Sequence, residues 1–177
     1  MQEILRMLSE MAGDKHLILT GRGPSRNRAQ KLRKQHGARA VEWRMNGYQG
    51  EDEAHAMWDI YLPQHYRERI AGLKCLVLIH PQTPPAQIGK GQLCLPFEPR
   101  NCGGTAAFML GIAAHLRPLP AQVHLAGIDY VFEAAQDSAE RTREIPSVEY
   151  WIGALREGLG VPVHIPAISR LCKATYR

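Results

Sequence analysis

The sequence predicts an α/β fold: a Rossmann-like, open and mainly parallel sheet of five or six strands with helices on both faces. Three observations predict it. A short apolar run, His16-Leu-Ile-Leu-Thr20, stops at Gly21-Arg-Gly-Pro-Ser25 and passes into a polar helical stretch. Strand, glycine-rich turn and helix in that order form the first unit of a doubly wound fold. Two further apolar runs, Lys74 to Ile79 and Gln122 to Ala126, have the length and composition of buried strands. Segments of helical spacing separate the strands, which implies parallel pairing through right-handed crossovers.

Taken in order, Met1 to Met11 places Ile4, Leu5, Leu8 and Met11 at helical spacing, and Gly13 ends the helix. The first strand and its turn lead into a helix from Arg26 to His36. Ala38 to Trp43 alternates apolar and charged residues as a strand does, and ends at Arg44-Met-Asn46-Gly47. Glu51 to Tyr61 reads as a helix with Ala54, Met57, Trp58 and Tyr61 on one face, and Gln64 to Ala71 reads as another. The strand after it stops at His80-Pro81. Four prolines between Gln82 and Arg100 indicate a long loop, with a short strand near Gln92 to Leu95. Cys102-Gly103-Gly104-Thr105 opens an almost wholly apolar helix, Ala106 to Leu116, which should be buried against the sheet. The strand Gln122 to Ala126 ends at Gly127-Ile-Asp129-Tyr130. A polar loop, a helix from Pro146 to Leu155 and a last strand, Val161 to His164, complete the chain.

The length, 177 residues, suits one domain over residues 1–177. A 45% hydrophobic and 22% charged composition allows a packed core. The four cysteines, Cys75, Cys94, Cys102 and Cys172, include no CxxC pair, and no leader-like segment precedes them, so reduced thiols in the cytoplasm are expected. The histidines show no HExxH or other ligand spacing, and no metal is expected. No apolar run approaches the ~20 residues that span a bilayer. A net charge of +5 favours anionic partners, with the basic residues densest from Arg22 to Lys34.

In open parallel sheets, ligands bind beyond the carboxyl ends of the strands, where connections diverge. Those ends are Gly21 to Ser25, Arg44 to Asn46, His80-Pro81 and Gly127 to Tyr130. In the first, Gly21 and Gly23 would let backbone approach a phosphate, Ser25 could donate its hydroxyl, and the next helix offers free N–H groups. The same residues also suit a plain strand-to-helix turn. Gly103, Gly104 and Thr105, after Cys102, start a second helix whose dipole favours an anion, although close helix-to-sheet packing also wants glycine. His80 could titrate near neutrality in the cleft, or serve structurally. A structural role for Asp129 is to hold backbone amides in its turn. No GxSxG elbow, Walker loop or GxGxxG fingerprint is present.

Several of these segments, in order, resemble one family: the bacterial sialyltransferases that decorate lipooligosaccharide, which have a Rossmann-like fold. Gly21-Arg-Gly-Pro-Ser25 resembles the family's Gly-Asn-Gly-Pro-Ser nucleotide loop. Arg44-Met-Asn46 resembles a strand end whose asparagine faces the donor, and His80-Pro81 stands where the family has Asn-Pro. Arg100-Asn-Cys-Gly-Gly104 and Val123-His-Leu-Ala-Gly-Ile-Asp129 resemble its Thr-Ser-Gly helix start and Gly-Ile-Asp-Phe strand end. The resemblance implies the fold and a cleft for a CMP-type or other nucleotide-sugar donor, with no further cofactor. The departures fall on the chemistry. Where the family has its basic histidine this chain has Arg143-Glu-Ile-Pro146, and after Tyr130 come Val131-Phe132 instead of the family's tyrosines.

Three functions follow as expectations. In a small glycosyltransferase, the glycines, Ser25 and Thr105 would cradle the donor, with Asn46, Cys102 and Asp129 beside it. Arg22 would neutralise the leaving phosphate and His80 would act as general base. A binding protein could instead keep the cleft without transferring anything, for example as a phage or prophage accessory protein. Nucleic-acid binding through the basic helix 26–34 ranks last, because no recognition motif accompanies the charge. A homo-oligomer is compatible with all three.

Overall fold

A computed structural model describes residues 2–45, 54–60, 75–89, 91–131 and 144–171. Seven strands form one sheet: β1 (His16–Thr20), β2 (Ala40–Met45), β3 (Ala56–Asp59), β4 (Leu76–Ile79), β5 (Gln92–Cys94), β6 (Gln122–Ala126) and β7 (Val163–His164), in the order β5-β4-β3-β2-β1-β6-β7. Every pairing is parallel. The α/β Rossmann-like class is therefore as expected, with more strands than the five or six predicted.

The extra strand is β3. Residues 51–61 carry apolar side chains at helical spacing, yet Ala56–Asp59 lies in the sheet between β2 and β4. The helix reading failed because a central parallel strand is apolar on both faces and loses the alternation that identifies a strand. Trp58 packs on one face, with its ring centroid 4.8 Å from that of Trp43, while Met57 packs with Val77 and Ile79 on the other. The helix expected over 64–71 and the start of the strand at Lys74 lie outside the described residues.

The two faces differ in chemistry. On one, Leu17, Leu19, Val41, Trp43, Trp58, Leu78, Val123 and Leu125 form the main core with α1 (Gln2–Ala12), α3 (Thr105–His115) and α4 (Ile145–Gly153). Helix α3 is buried along almost its whole length, as its composition predicts. It approaches its neighbours closely at Gly111, where a Cβ would lie 2.6 Å from Pro99 and 3.1 Å from Trp151. The other face meets α2 (Arg28–His36) through Ile18, Ala29, Leu32, Ala40 and Ala126. Because strand side chains alternate, this second face also receives Glu42, Arg44 and His124, all buried.

Candidate functional site at the strand switch point

Strand β1 pairs with β2 on one side and β6 on the other. Successive strands first build outward through β2 to β5, and β6 then returns to the opposite edge of β1. The loops after β1 and β6 therefore diverge at a topological switch point, where doubly wound folds form their clefts.

The two loops are stitched together. Gly21 N–H donates to Ala126 O and Gly23 N–H to Gly127 O, each at 2.7 Å. Gly127 N–H donates to Ser25 Oγ at 2.7 Å. Ser25 in turn donates its N–H to Asp129 Oδ2 at 2.7 Å and its O–H to Asp129 Oδ1 at 2.6 Å. A Cβ on Gly21 would lie 2.4 Å from Gly127 O, and one on Gly23 would lie 2.7 Å from Asp129 Oδ2. Both glycines are thus accounted for by loop-to-loop approach. Asp129, 1% exposed, holds the first turn of the helical segment beginning at Pro24. From the other side, Arg170 N–H donates to Asp129 O at 2.8 Å, and Ser169 Oγ to Ile128 O at 3.3 Å.

The second helix start has a similar arrangement. The ideal Cβ position on Gly104, the residue before α3, is 2.5 Å from Glu144 Cδ, so the Glu144 carboxylate lies against this glycine. Tyr130 O–H donates to Glu144 Oε2 at 3.2 Å. Tyr130 itself has φ +52, a left-handed conformation that bulky residues rarely adopt and that is concentrated at functional sites. Both helix starts that the sequence offers as anion sites are therefore met by carboxylates of the chain itself, Asp129 and Glu144. Thr105 is buried beside Gly104, and Gly103 is exposed. The contacts from Ser25 through Asp129 and Tyr130 to Glu144 and Gly104 link the two starts along one sheet edge.

Arg22 is exposed at the tip of the first loop. Asn46 lies outside the described residues. His80 packs edge-on against Phe108 in the first turn of α3, with centroids 5.7 Å apart. Its Nδ1 accepts from Gln82 N–H at 3.2 Å, which leaves the proton of the neutral ring on Nε2, 3.5 Å from Glu98 Oε2. In the basic segment, Ala29 and Leu32 are buried and Arg33 Nη1 lies 3.4 Å from Glu42 Oε2, while Arg26, Lys31 and Lys34 are exposed.

Cys102 donates its thiol to Arg100 O at 3.8 Å, a carbonyl that also receives Trp151 Nε1–H at 3.0 Å. Burial pushes the thiol up to about 12, against a smaller opposing effect of Trp151. At pH 8 the thiolate, the reactive form, is then scarce. Cys102 is expected to resist iodoacetamide in the native protein at pH 8 and to react once urea unfolds it. Peptide mass mapping at matched times reads this directly, and native labelling as fast as in urea would refute it.

The fold and its switch point define an open, doubly wound α/β protein. Among solved structures, the sialyltransferase CstII from Campylobacter jejuni, in complex with the substrate analogue CMP-3FNeuAc, is similar at TM-score 0.53 and 12% identity, over 92% of each chain. At that identity the likeness is one of fold. No protein-family model matches the chain, and no curated protein sequence does.

Proposed function

We propose that the protein binds a nucleotide or nucleotide-sugar in the cleft between the β1 and β6 loops, as a glycosyltransferase-like protein. One observation carries this reading: the loop after β1, the Gly-Ile-Asp segment after β6 and the start of α3 converge on the switch-point edge of a sheet whose fold is shared with a CMP-sugar-binding enzyme. In this reading Gly21, Gly23, Ser25 and Asp129 hold the loop in shape. Arg22 and the exposed Gly103 meet the phosphates, which reach Gly104 and Thr105 once the Glu144 carboxylate swings off the helix start, with Cys102 flanking. Glu144 is the proton acceptor beside them, at the place of the family's histidine. His80 can take that role only by giving up its bond from Gln82.

Thermal unfolding in the presence of cytidine, uridine, guanosine and adenosine phosphates and of CMP-sialic acid tests the reading. A ligand at about a hundred times its Kd stabilises by ~2.7 kcal/mol. A shift with one nucleotide class is expected, reduced at least tenfold in affinity by Arg22→Ala. No shift with any of them in folded protein would overturn the proposal. The bonding of His80 also favours a second reading, binding without transfer. That reading predicts a thermal shift with CMP-sialic acid but no release of CMP.

A further inference from the structure

Four of the eight histidines meet on the α2 face of the sheet. His16 opens β1, His124 is the middle residue of β6, His36 ends α2 and His164 ends β7. Their sequence numbers show no ligand spacing; only the parallel pairing of β1 with β6 and the return of α2 across them bring the rings together. The cluster begins at His16, four residues before the end of β1 and so roughly 13 Å from the switch-point loops at about 3.3 Å per residue.

Nδ1 of His16 lies 3.4 Å from Nε2 of His124. One ring nitrogen from each of His16, His36 and His124 lies within 4.8 Å of the others. Zinc bound to imidazole has Zn–N distances of about 2.0–2.1 Å, and the edge of such a tetrahedron is about 3.4 Å. The first pair thus already has the spacing of two ligands on one ion. A hydrogen bond between the two rings would also account for this pair, but it leaves His36 unexplained: its Nε2 is buried and has no hydrogen-bond partner among the described residues. His36 stacks on His16 at a centroid distance of 3.7 Å and must rotate out of that stack by on the order of 1 Å to bring its nitrogen onto the same ion. It can do so because it is the last helical residue of α2 and only half-buried.

We propose that His16, His36 and His124 form a site for a first-row divalent cation that prefers imidazole, zinc above all, with the fourth position open to water. Neutral imidazole is the ligand form such ions require. Two of the rings are biased toward it: burial first, and neighbouring imidazoles next, push His124 down to about 4, and the same causes lower His16. His164 stacks on His124 at 4.6 Å while its Nε2 faces Gln122 Oε1 at 3.1 Å, which packs the ligand ring from behind. Arg28 and Arg39 act on these rings and oppose positive charge, so the site is weaker than one in neutral surroundings. A bound ion joins the end of α2 to β1 and β6.

The test uses the full chain without a histidine tag, stripped with a chelator and titrated with zinc chloride or cobalt chloride. One zinc per chain is expected, and cobalt should show the strong visible absorption of tetrahedral coordination. His36→Ala and His16→Gln should each weaken zinc binding at least tenfold while leaving unfolding in chelator nearly unchanged for His36→Ala. His115→Ala, whose ring bonds to Gly111 O at 2.7 Å elsewhere in the fold, should bind as the parent does. No stoichiometric uptake at micromolar zinc, or uptake equal in the parent and both cluster variants, would overturn the site.

Discussion

Arg44→Ala is expected to cost about 3–5 kcal/mol of unfolding free energy, the usual effect of removing one partner from a buried ion pair. Glu42 and Arg44 are two apart on β2 and therefore share the α2 face of the sheet, at 1% and 6% exposure. Arg44 Nε donates to Glu42 Oε1 at 2.7 Å and Nη2 to Oε2 at 3.3 Å, a two-point pairing of two buried groups. Without Arg44, the Glu42 carboxylate keeps Arg33 at 3.4 Å, a more exposed and longer contact that compensates only in part. Replacing both residues by leucine should cost less than Arg44→Ala alone, because no charge is then left buried. Urea unfolding with unchanged m values measures both. A loss below about 1 kcal/mol for Arg44→Ala would show that the pair is hydrated and the cost of burial small.

This pair marks what could be read from the chain and what could not. The alternation from Ala38 to Trp43 identified β2, but nothing local says which charged residues point inward, since the same pattern suits a strand with one solvated face. β1, β6 and α3 were legible because each is an apolar run bounded by glycine or a polar turn, and β6 has the expected bounds, Gln122–Ala126. β3 was not, because Ala56, Met57 and Trp58 are buried on both faces and the apolar spacing also fits a helix. At the site, the sequence located the loops but not their partners. Ser25 and Asp129 are 104 residues apart, and only the adjacency of β1 and β6 makes the hydroxyl meet the carboxylate. In the sequence Glu144 is one charge at the end of a polar loop. The signal that could have found it is its place just ahead of a helix, where the resembled family has its histidine. The histidine cluster had no sequence signal, since its members come from three strands and a helix end.

Asp129→Ala is the second large expected effect, and it separates the scaffold of the cleft from its ligand contacts. The carboxylate accepts the Ser25 N–H and O–H at 2.7 and 2.6 Å while nearly fully buried, and hydrogen bonds to a charged group contribute about 1.5–3 kcal/mol each. The two bonds go to the two oxygens of one carboxylate and are not additive, so a loss of about 3 kcal/mol is expected. Asp129→Asn should cost less, since the amide oxygen can still accept the N–H while its NH2 turns to Ser25 Oγ. Ser25→Ala should cost about 1–2 kcal/mol, as it leaves the Gly127 N–H without its acceptor. In the double variant Ser25→Ala with Asp129→Ala the losses should fall short of their sum, because each single change already breaks the bond they share. Additive losses in denaturant unfolding would mean that the two residues act independently and that the loops are held by the glycine contacts alone. With Asp129 gone, the Gly21 to Ser25 loop keeps its glycine bonds to Ala126 and Gly127 but loses the carboxylate that fixes Ser25, while Arg22 remains in the chain. Nucleotide binding that disappears at temperatures where the variant is still folded would then be due to loop shape, whereas binding that survives would assign the ligand's grip to Arg22 and the start of α3.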